Sequence, residues 1–281
     1  LHFCIVPFTR GRERSRSVFS IEKEVREAVS SGYKEITLLG QNVNSYKQDE
    51  IKFHCLLELI AQIPGVERIR YTSPHPEDIT EDLLKIMQKY DNICKNIHLP
   101  LQAGSDKILK RMHRSYSQEE FLNLVKKIKY MLPNVGLSTD IIVGFPGETE
   151  NDFLETLKVM EEVRFDSAFN FKYSPRTGTK ASEYEDQVSE KTKQLRLERV
   201  INLQKIHSIQ RNKKLIGSTQ TVLVEKQSKM SSDHWAGRTD SNKWVIFDKK
   251  MSKINHLVKV LITDSKGISL KGKIIGKARA A

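Results

Sequence analysis

The chain has 281 residues, a formal net charge of +12 and three cysteines. No apolar run approaches the ~20 residues of a membrane-spanning helix. Cys4, Cys55 and Cys94 are an odd, scattered set, which argues against a disulfide framework and for a reducing, cytoplasmic setting. The length suits a barrel-like α/β domain followed by a small module. No signal-peptide pattern opens the chain, and its first residue is Leu rather than Met, which reads as a fragment or a disrupted reading frame.

The opening run His2-Phe3-Cys4-Ile5-Val6-Pro7-Phe8 is apolar, is broken by Pro7 and passes into an Arg/Glu/Ser cluster before a helix near Ser17. That is the pattern of a strand and loop opening an α/β repeat. Helical spacing follows at Ile21, Val25, Ala28 and Val29 and stops at Gly32. Short apolar strands are expected at Glu35-Ile36-Thr37-Leu38-Leu39, Arg68-Ile69-Arg70-Tyr71, Asn96-Ile97-His98-Leu99, residues 135–143 and residues 167–173. Helices are expected at 53–63, 81–89 and 118–132. Six strand-then-helix units in series predict a parallel sheet with right-handed crossovers. Six is fewer than the eight that close a full barrel, so the expected fold is α/β: an open, three-quarter (βα) barrel with its interior reachable from the side.

The polar, Gly/Pro-rich segments all fall just after strands, at the face where such barrels build their sites. Gly144-Phe145-Pro146-Gly147-Glu148-Thr149 reads either as a turn into a helix capped near Thr149 or as backbone N–H groups brought close to a nucleotide-like cofactor. His75 and His98 lack a second ligand at metal spacing, and Cys55 and Cys94 sit in core patterns.

Residues 190–212 read as one long connector helix without a sustained heptad. From Lys213 onward fifteen Lys/Arg face five Asp/Glu, leaving 32 against 30 in the first 212 residues. That asymmetry points to an acidic polymer as partner of the C-terminal part. Alternating segments at 218–225, 235–240, 244–247, 256–262 and 269–275 suggest a small all-β barrel. The expected domains are therefore 1–212 and 213–281.

Cys4-Ile5-Val6-Pro7-Phe8-Thr9-Arg10-Gly11 resembles the cluster-binding loop of the radical S-adenosylmethionine enzymes in its methylthiotransferase form, Cys-x3-Cys-x2-Cys followed by Ile-Val-Pro-Phe/Tyr-x-Arg-Gly. Aligned on Cys4 to Pro7, Cys4 is the third cluster ligand and Leu1 stands where the second belongs. Making Cys4 the second ligand still leaves one cysteine where three are needed. Gly40-Gln41-Asn42-Val43-Asn44-Ser45-Tyr46, Thr72-Ser73-Pro74-His75-Pro76, the run from His98 to Asp106, the run from Asp140 to Thr149 and Tyr173-Ser174-Pro175-Arg176-Thr177-Gly178-Thr179 recur in family order. Together they resemble the MiaB-type tRNA methylthiotransferases across nearly the whole chain. Gly237-Arg238-Thr239-Asp240 followed by Val245-Ile246-Phe247 looks like a TRAM domain, the RNA-binding barrel of these enzymes.

The resemblance implies a [4Fe-4S] cluster that binds S-adenosylmethionine and a deoxyadenosyl radical. It also implies methylthio insertion at C2 of N6-isopentenyladenosine beside the tRNA anticodon. Cys4 is the one remaining candidate cluster ligand, and a single thiolate holds no defined cluster. Gln102, Ser105, Gly144, Gly147 and Glu148 are carried over as candidates for S-adenosylmethionine. Trp235, Arg238, Lys243, Lys271 and Lys273 are the candidates for RNA, with Trp244 able to stack on bases and Phe247 expected in the barrel core. Two readings follow: the C-terminal portion of a tRNA methylthiotransferase, inactive as it stands, or a catalytically empty tRNA-binding protein. The electron donor and the sulfur source are not assigned.

Overall fold

Side-chain N-caps open five of the seven α-helices among the described residues. The computed structural model describes residues 14–72, 74–229, 231–250 and 252–278. Helix α1 (Val18–Ser30) starts where the Ser17 hydroxyl accepts from the Ser20 amide, and it stops before Gly32 in the left-handed region. Strand β1 (Glu35–Leu38) follows, then a small hairpin, β2 (Lys47–Gln48) with β3 (Ile51–Lys52). Helix α2 (Phe53–Ala61) buries Phe53, Leu56, Leu57 and Ile60. Burying each such side chain contributes about 1.5–3 kcal/mol, so Leu57→Ala alone would cost about 2–5 kcal/mol.

Strand β4 (Arg68–Tyr71), helix α3 (Glu81–Lys89), strand β5 (Asn96–His98) and the short helix α4 (Asp106–Arg111) continue the alternation. Helix α5 (Gln118–Met131) opens with a capping box between Ser117 and Glu120, and α6 (Glu150–Val163) with one between Thr149 and Asp152. Between them lies β6 (Gly136–Val143), and after them come β7 (Ser167–Lys172) and the 24-residue α7 (Glu190–Lys213).

β1 pairs with β4, and β6 pairs with β5 on one side and β7 on the other, all parallel. A single parallel bridge, Ile69 to Ile93, joins the two groups, with the Cys94 amide donating to the Ile69 carbonyl at 2.9 Å. The helices cover the outer face around a core that includes Leu57, Ile69, Leu84, Ile97, Ile141 and Phe153. The expected partial barrel is therefore observed through five described strands. The first expected strand, with Cys4, lies outside the described residues. The β2–β3 hairpin and α4 had no counterpart in the sequence reading: each strand of the hairpin has two residues and α4 has six, too short to show periodicity.

The C-terminal part is a closed five-stranded barrel in the order β10-β12-β11-β8-β9. Its strands are β8 (Thr219–Gln227), β9 (His234–Thr239), β10 (Trp244–Asp248), β11 (Leu257–Lys266) and β12 (Ser269–Lys277). Inward residues Val222, Val224, Val245, Phe247, Val258, Val260, Ile262 and Leu270 form its core, so Phe247 is in the core as expected. A Cβ on Gly237 would lie 1.9 Å from the Leu223 carbonyl oxygen, so only glycine lets β9 pass β8 this closely. No helix among the described residues is long and apolar enough to cross a membrane.

The β9–β10 turn of the small barrel docks at the N-terminal ends of the large barrel's strands. Arg68 donates to Asp240 Oδ1 at 2.7 Å and to the Arg238 carbonyl at 2.9 Å. Arg70 donates to the Thr239 carbonyl at 2.7 Å and to Glu35 at 3.0 Å. On the other side, Lys243 meets Asp166 at 2.7 Å and Asn212 at 2.9 Å.

Candidate functional site

The loops after β5 and β6 form the opposite end of the barrel, and their shape follows from a few conformations. Gln102 is buried and left-handed, with φ of 69°. Its amide donates to the Asp140 carbonyl and its own carbonyl accepts from the Ile142 amide, each at 2.8 Å. This extends the β5–β6 pairing past the end of β5 through an isolated parallel bridge to Ile141. Gly104 lies so close to α6 that a Cβ would stand 2.5 Å from the Thr156 Cα. The Ser105 hydroxyl donates to Asp152 Oδ1 at 2.7 Å, and Lys107 reaches Oδ2 of the same carboxylate at 3.0 Å. Burial pushes the Asp152 carboxyl up, but the hydrogen bonds from Ser105, Thr149 and Lys107 outweigh it and hold the group well below the usual range.

Gly144 and Gly147 both have positive φ, at 71° and 79°. A side chain at Gly144 would strike Lys193 of α7, and one at Gly147 would strike Asp186 and Arg111. The Gly144 amide donates to Glu148 Oε1 at 2.9 Å, and Arg196 of α7 pairs with the same oxygen at 2.8 Å. Burial pushes the Glu148 carboxyl up to about 7, against the opposing effects of the Gly144 amide and Arg196. The five residues carried over for S-adenosylmethionine thus lie in two adjacent loops. The Ser105 hydroxyl and Glu148 carboxylate are engaged by neighbouring side chains and backbone. What these residues give the site is the placement of its rim.

Below that rim, facing side chains on three strands form a polar cluster. His98 and Ser138 are register partners on β5 and β6, and Asp140 and Phe169 are register partners on β6 and β7. His98 Nδ1 lies 3.0 Å from the Ser138 hydroxyl, and His98 Nε2 lies 3.3 Å from Asp140 Oδ2. The Phe169 ring meets the imidazole edge-on at 5.8 Å. Both imidazole nitrogens therefore have partners within the cluster, which fixes the orientation of the ring. By sequence alone, His98 lacks a second ligand at metal spacing and reads as a structural histidine. The alternation of strand side chains, His98 with Ser138, Asp140 and Phe169 on one face, is the signal that could have found the group.

The described residues do not fit an iron–sulfur cluster. No group of three or more His, Cys, Asp or Glu among them could hold a metal ion. Cys55 lies on α2, and Cys94 is buried beside Arg68 and Arg70, where burial pushes its thiol up. Cys4 lies outside the described residues.

On the small barrel, Lys271 and Lys273 are exposed on β12, opposite Asp264 and Leu261 of β11. Trp235 donates to the Ser252 carbonyl at 3.2 Å, and the Lys249 ammonium lies 4.4 Å from the centre of its ring. Lys226 sits at the same 4.4 Å over Trp244. Arg238 pairs with Glu225 at 2.7 Å and reaches Glu35 at 3.3 Å, and Lys243 is held by Asp166. Of the five residues expected on an RNA surface, Arg238 and Lys243 therefore sit in the joint between the barrels. Lys271, Lys273 and Trp235 sit away from it.

Comparison with known proteins completes the description. A model of the Radical SAM superfamily matches residues 2–160, and one of the TRAM domain matches residues 213–275. The tRNA-2-methylthio-N(6)-dimethylallyladenosine synthase of Carboxydothermus hydrogenoformans is 49% identical over 276 residues, 97% of this chain and 63% of that protein. The protein of the same name from Clostridium tetani is 49% identical over 274 residues, 96% of this chain and 60% of that one. The chain thus spans about three fifths of the length of these relatives. Among solved structures, the Escherichia coli coproporphyrinogen III oxidase HemN, a radical SAM enzyme, covers 85% of this chain and 65% of its own, with a TM-score of 0.54 and 15% identity. That likeness is one of fold.

Proposed function

Because the chain belongs to the radical SAM superfamily, we propose that it forms the barrel and RNA-binding parts of a tRNA methylthiotransferase acting at C2 of N6-dimethylallyladenosine (N6-isopentenyladenosine) beside the anticodon, in the cytoplasm. One observation carries this reading. Near-half identity to synthases of that name runs through 97% of the chain, across both barrels and the helix between them.

The parts divide the work by position. The loops holding Gln102, Ser105, Gly144, Gly147 and Glu148 fix the rim where S-adenosylmethionine would sit, acting through backbone placement. His98, Ser138, Asp140 and Phe169 offer a polar and aromatic surface just below it. Lys271, Lys273 and Trp235 present charge and a ring to RNA, while Arg238 and Lys243 keep the small barrel in place. A [4Fe-4S] cluster, toward which this chain offers Cys4 alone, would supply the electron that cleaves S-adenosylmethionine.

Three thiolates are needed to leave one iron open, and Cys4 is the sole candidate in this sequence. The 281-residue chain by itself is therefore expected to bind tRNA without turning it over. Anaerobic iron–sulfur reconstitution with an iron count tests this. The expected result is no stoichiometric four-iron cluster, and a stable one would overturn the ligand assignment. A gel shift with a tRNA anticodon stem-loop tests the RNA half, and absence of any shift at low salt would overturn it.

A further inference from the structure

The free edge of β7 borders a cleft of about 710 Å³ between the two barrels, a size that suits a nucleoside. One wall is β7 itself, whose second edge is unpaired among the described residues. The second wall is α7, with Gln204 and Lys205, and the third is the β9–β10 turn of the small barrel with Trp244. Phe169 and Phe171 lie two residues apart on one face of β7 and are 57% and 52% exposed, while Trp244 opposite them is 36% exposed. Large aromatic rings left this open on a strand flanked by a second domain have a use other than core packing.

Two buried acceptors, Asn170 Oδ1 and Gln204 Oε1, lie on the other face of β7, turned to α7, and have no hydrogen-bond partner among the described residues, although the Gln204 amide nitrogen donates to the Phe165 carbonyl at 2.9 Å. They hold no base stacked on the phenylalanines, which leaves the rings as the binding surface of the cleft. Of the rings lining the cleft, Phe169 touches His98 and Trp244 lies beneath Lys226.

We propose that this cleft takes an unpaired stretch of RNA, with bases stacked on Phe169, Phe171 and Trp244, and leads it from the small barrel into the large one. The proposal rests on the RNA-binding reading above and adds the surface by which the strand enters. Charge favours RNA over a peptide strand on the β7 edge: the small barrel that forms the third wall carries the chain's basic excess, Lys205 lines the cleft, Lys226 covers the Trp244 ring, and the one acidic lining residue, Asp166, is neutralised by Lys243 and Arg211. A sequence-tolerant site built from rings and cations is how single strands are held.

The test is fluorescence anisotropy of the full chain with a labelled, unstructured RNA of about ten nucleotides, a length matched to a single-strand site. Phe169→Ala with Phe171→Ala is expected to weaken binding roughly tenfold, and Phe169→Tyr with Phe171→Tyr to restore it, because a tyrosine ring stacks as well. In a Trp235→Phe background the remaining Trp244 fluorescence should be quenched by the RNA. If the alanine pair binds within about twofold of the parent while Lys271→Glu with Lys273→Glu loses binding, the cleft proposal is overturned and the RNA-binding reading stands. If the parent chain binds no RNA at low salt, both are overturned. Because both phenylalanines are more than half exposed, the alanine pair is expected to keep the parent's melting temperature, which confirms that any loss of binding is local.

Discussion

Arg68 and Asp240 are 172 residues apart in sequence and 2.7 Å apart in space. The Arg68 side chain is only 2% exposed, and its other neighbours are Glu35 at 3.7 Å and the Arg238 carbonyl. Asp240 is 40% exposed, but removing it strands the buried Arg68 charge with Glu35 as its remaining carboxylate neighbour. Asp240→Ala is therefore expected to destabilise the joint by about 1–2 kcal/mol, less than breaking a fully buried pair because the lost carboxylate is partly hydrated. Urea unfolding followed by limited proteolysis around the β9–β10 turn would show it, and an unchanged midpoint would refute it.

The second tie, Asp166, predicts acid sensitivity. Burial raises the Asp166 carboxyl, but Arg211 and Lys243 overcome that and hold it below its ordinary value. A carboxylate lowered on folding adds stability that is full above its unfolded value, ~3.9, and is lost as pH falls through the lower folded value. The stability advantage of the parent over Asp166→Asn should thus be constant near neutrality and shrink below about pH 4. Melting temperatures of both proteins across that window provide the check.

Salt separates the lysines that face solvent from the one in the joint. Each phosphate neutralised on a single strand contributes about 0.7 to the slope of log affinity against log salt. Lys271→Gln with Lys273→Gln should flatten that slope by about 1.4. Lys243→Gln, which removes the 2.7 Å contact to Asp166, should lower stability and leave the slope unchanged. Equal slopes for all three proteins would refute the assignment.

Gly237→Ala should destabilise the small barrel by about 1–3 kcal/mol, since its Cβ would stand 1.9 Å from the Leu223 carbonyl oxygen and one of the two strands must move. A melting curve that resolves the two barrels should show the loss in the small one.

Much of this molecule is legible in the sequence because strands and helices announce themselves by period. Ile36, Ile69, Ile97 and Ile141 mark four of the barrel strands, and the capped turn at Thr149 is visible in Gly144 to Thr149. The family motifs fix the order of the loops. What is not legible is which charges meet across the joint. Arg238 and Lys243 look like RNA ligands because they are basic and lie in a basic domain, yet their partners Glu35 and Asp166 are in the other barrel. Pairing between distant segments leaves no local trace. The same holds for Glu148, whose partner Arg196 arrives on a helix 48 residues later.

The long helix α7 has a further consequence. Its first turns touch the Gly144–Glu148 loop and its last turn reaches Asn212 beside Lys243, so it runs the full height of the barrel. Twenty-four residues of helix measure about 36 Å. The small barrel and the rim loops therefore stand at opposite ends of a rigid ruler. A free nucleoside is too short to touch both, whereas a polynucleotide that grips one end holds its remainder at high local concentration near the other. On the proposed RNA-binding reading, selection for a macromolecule over its monomer would be set by a length, before any base is read.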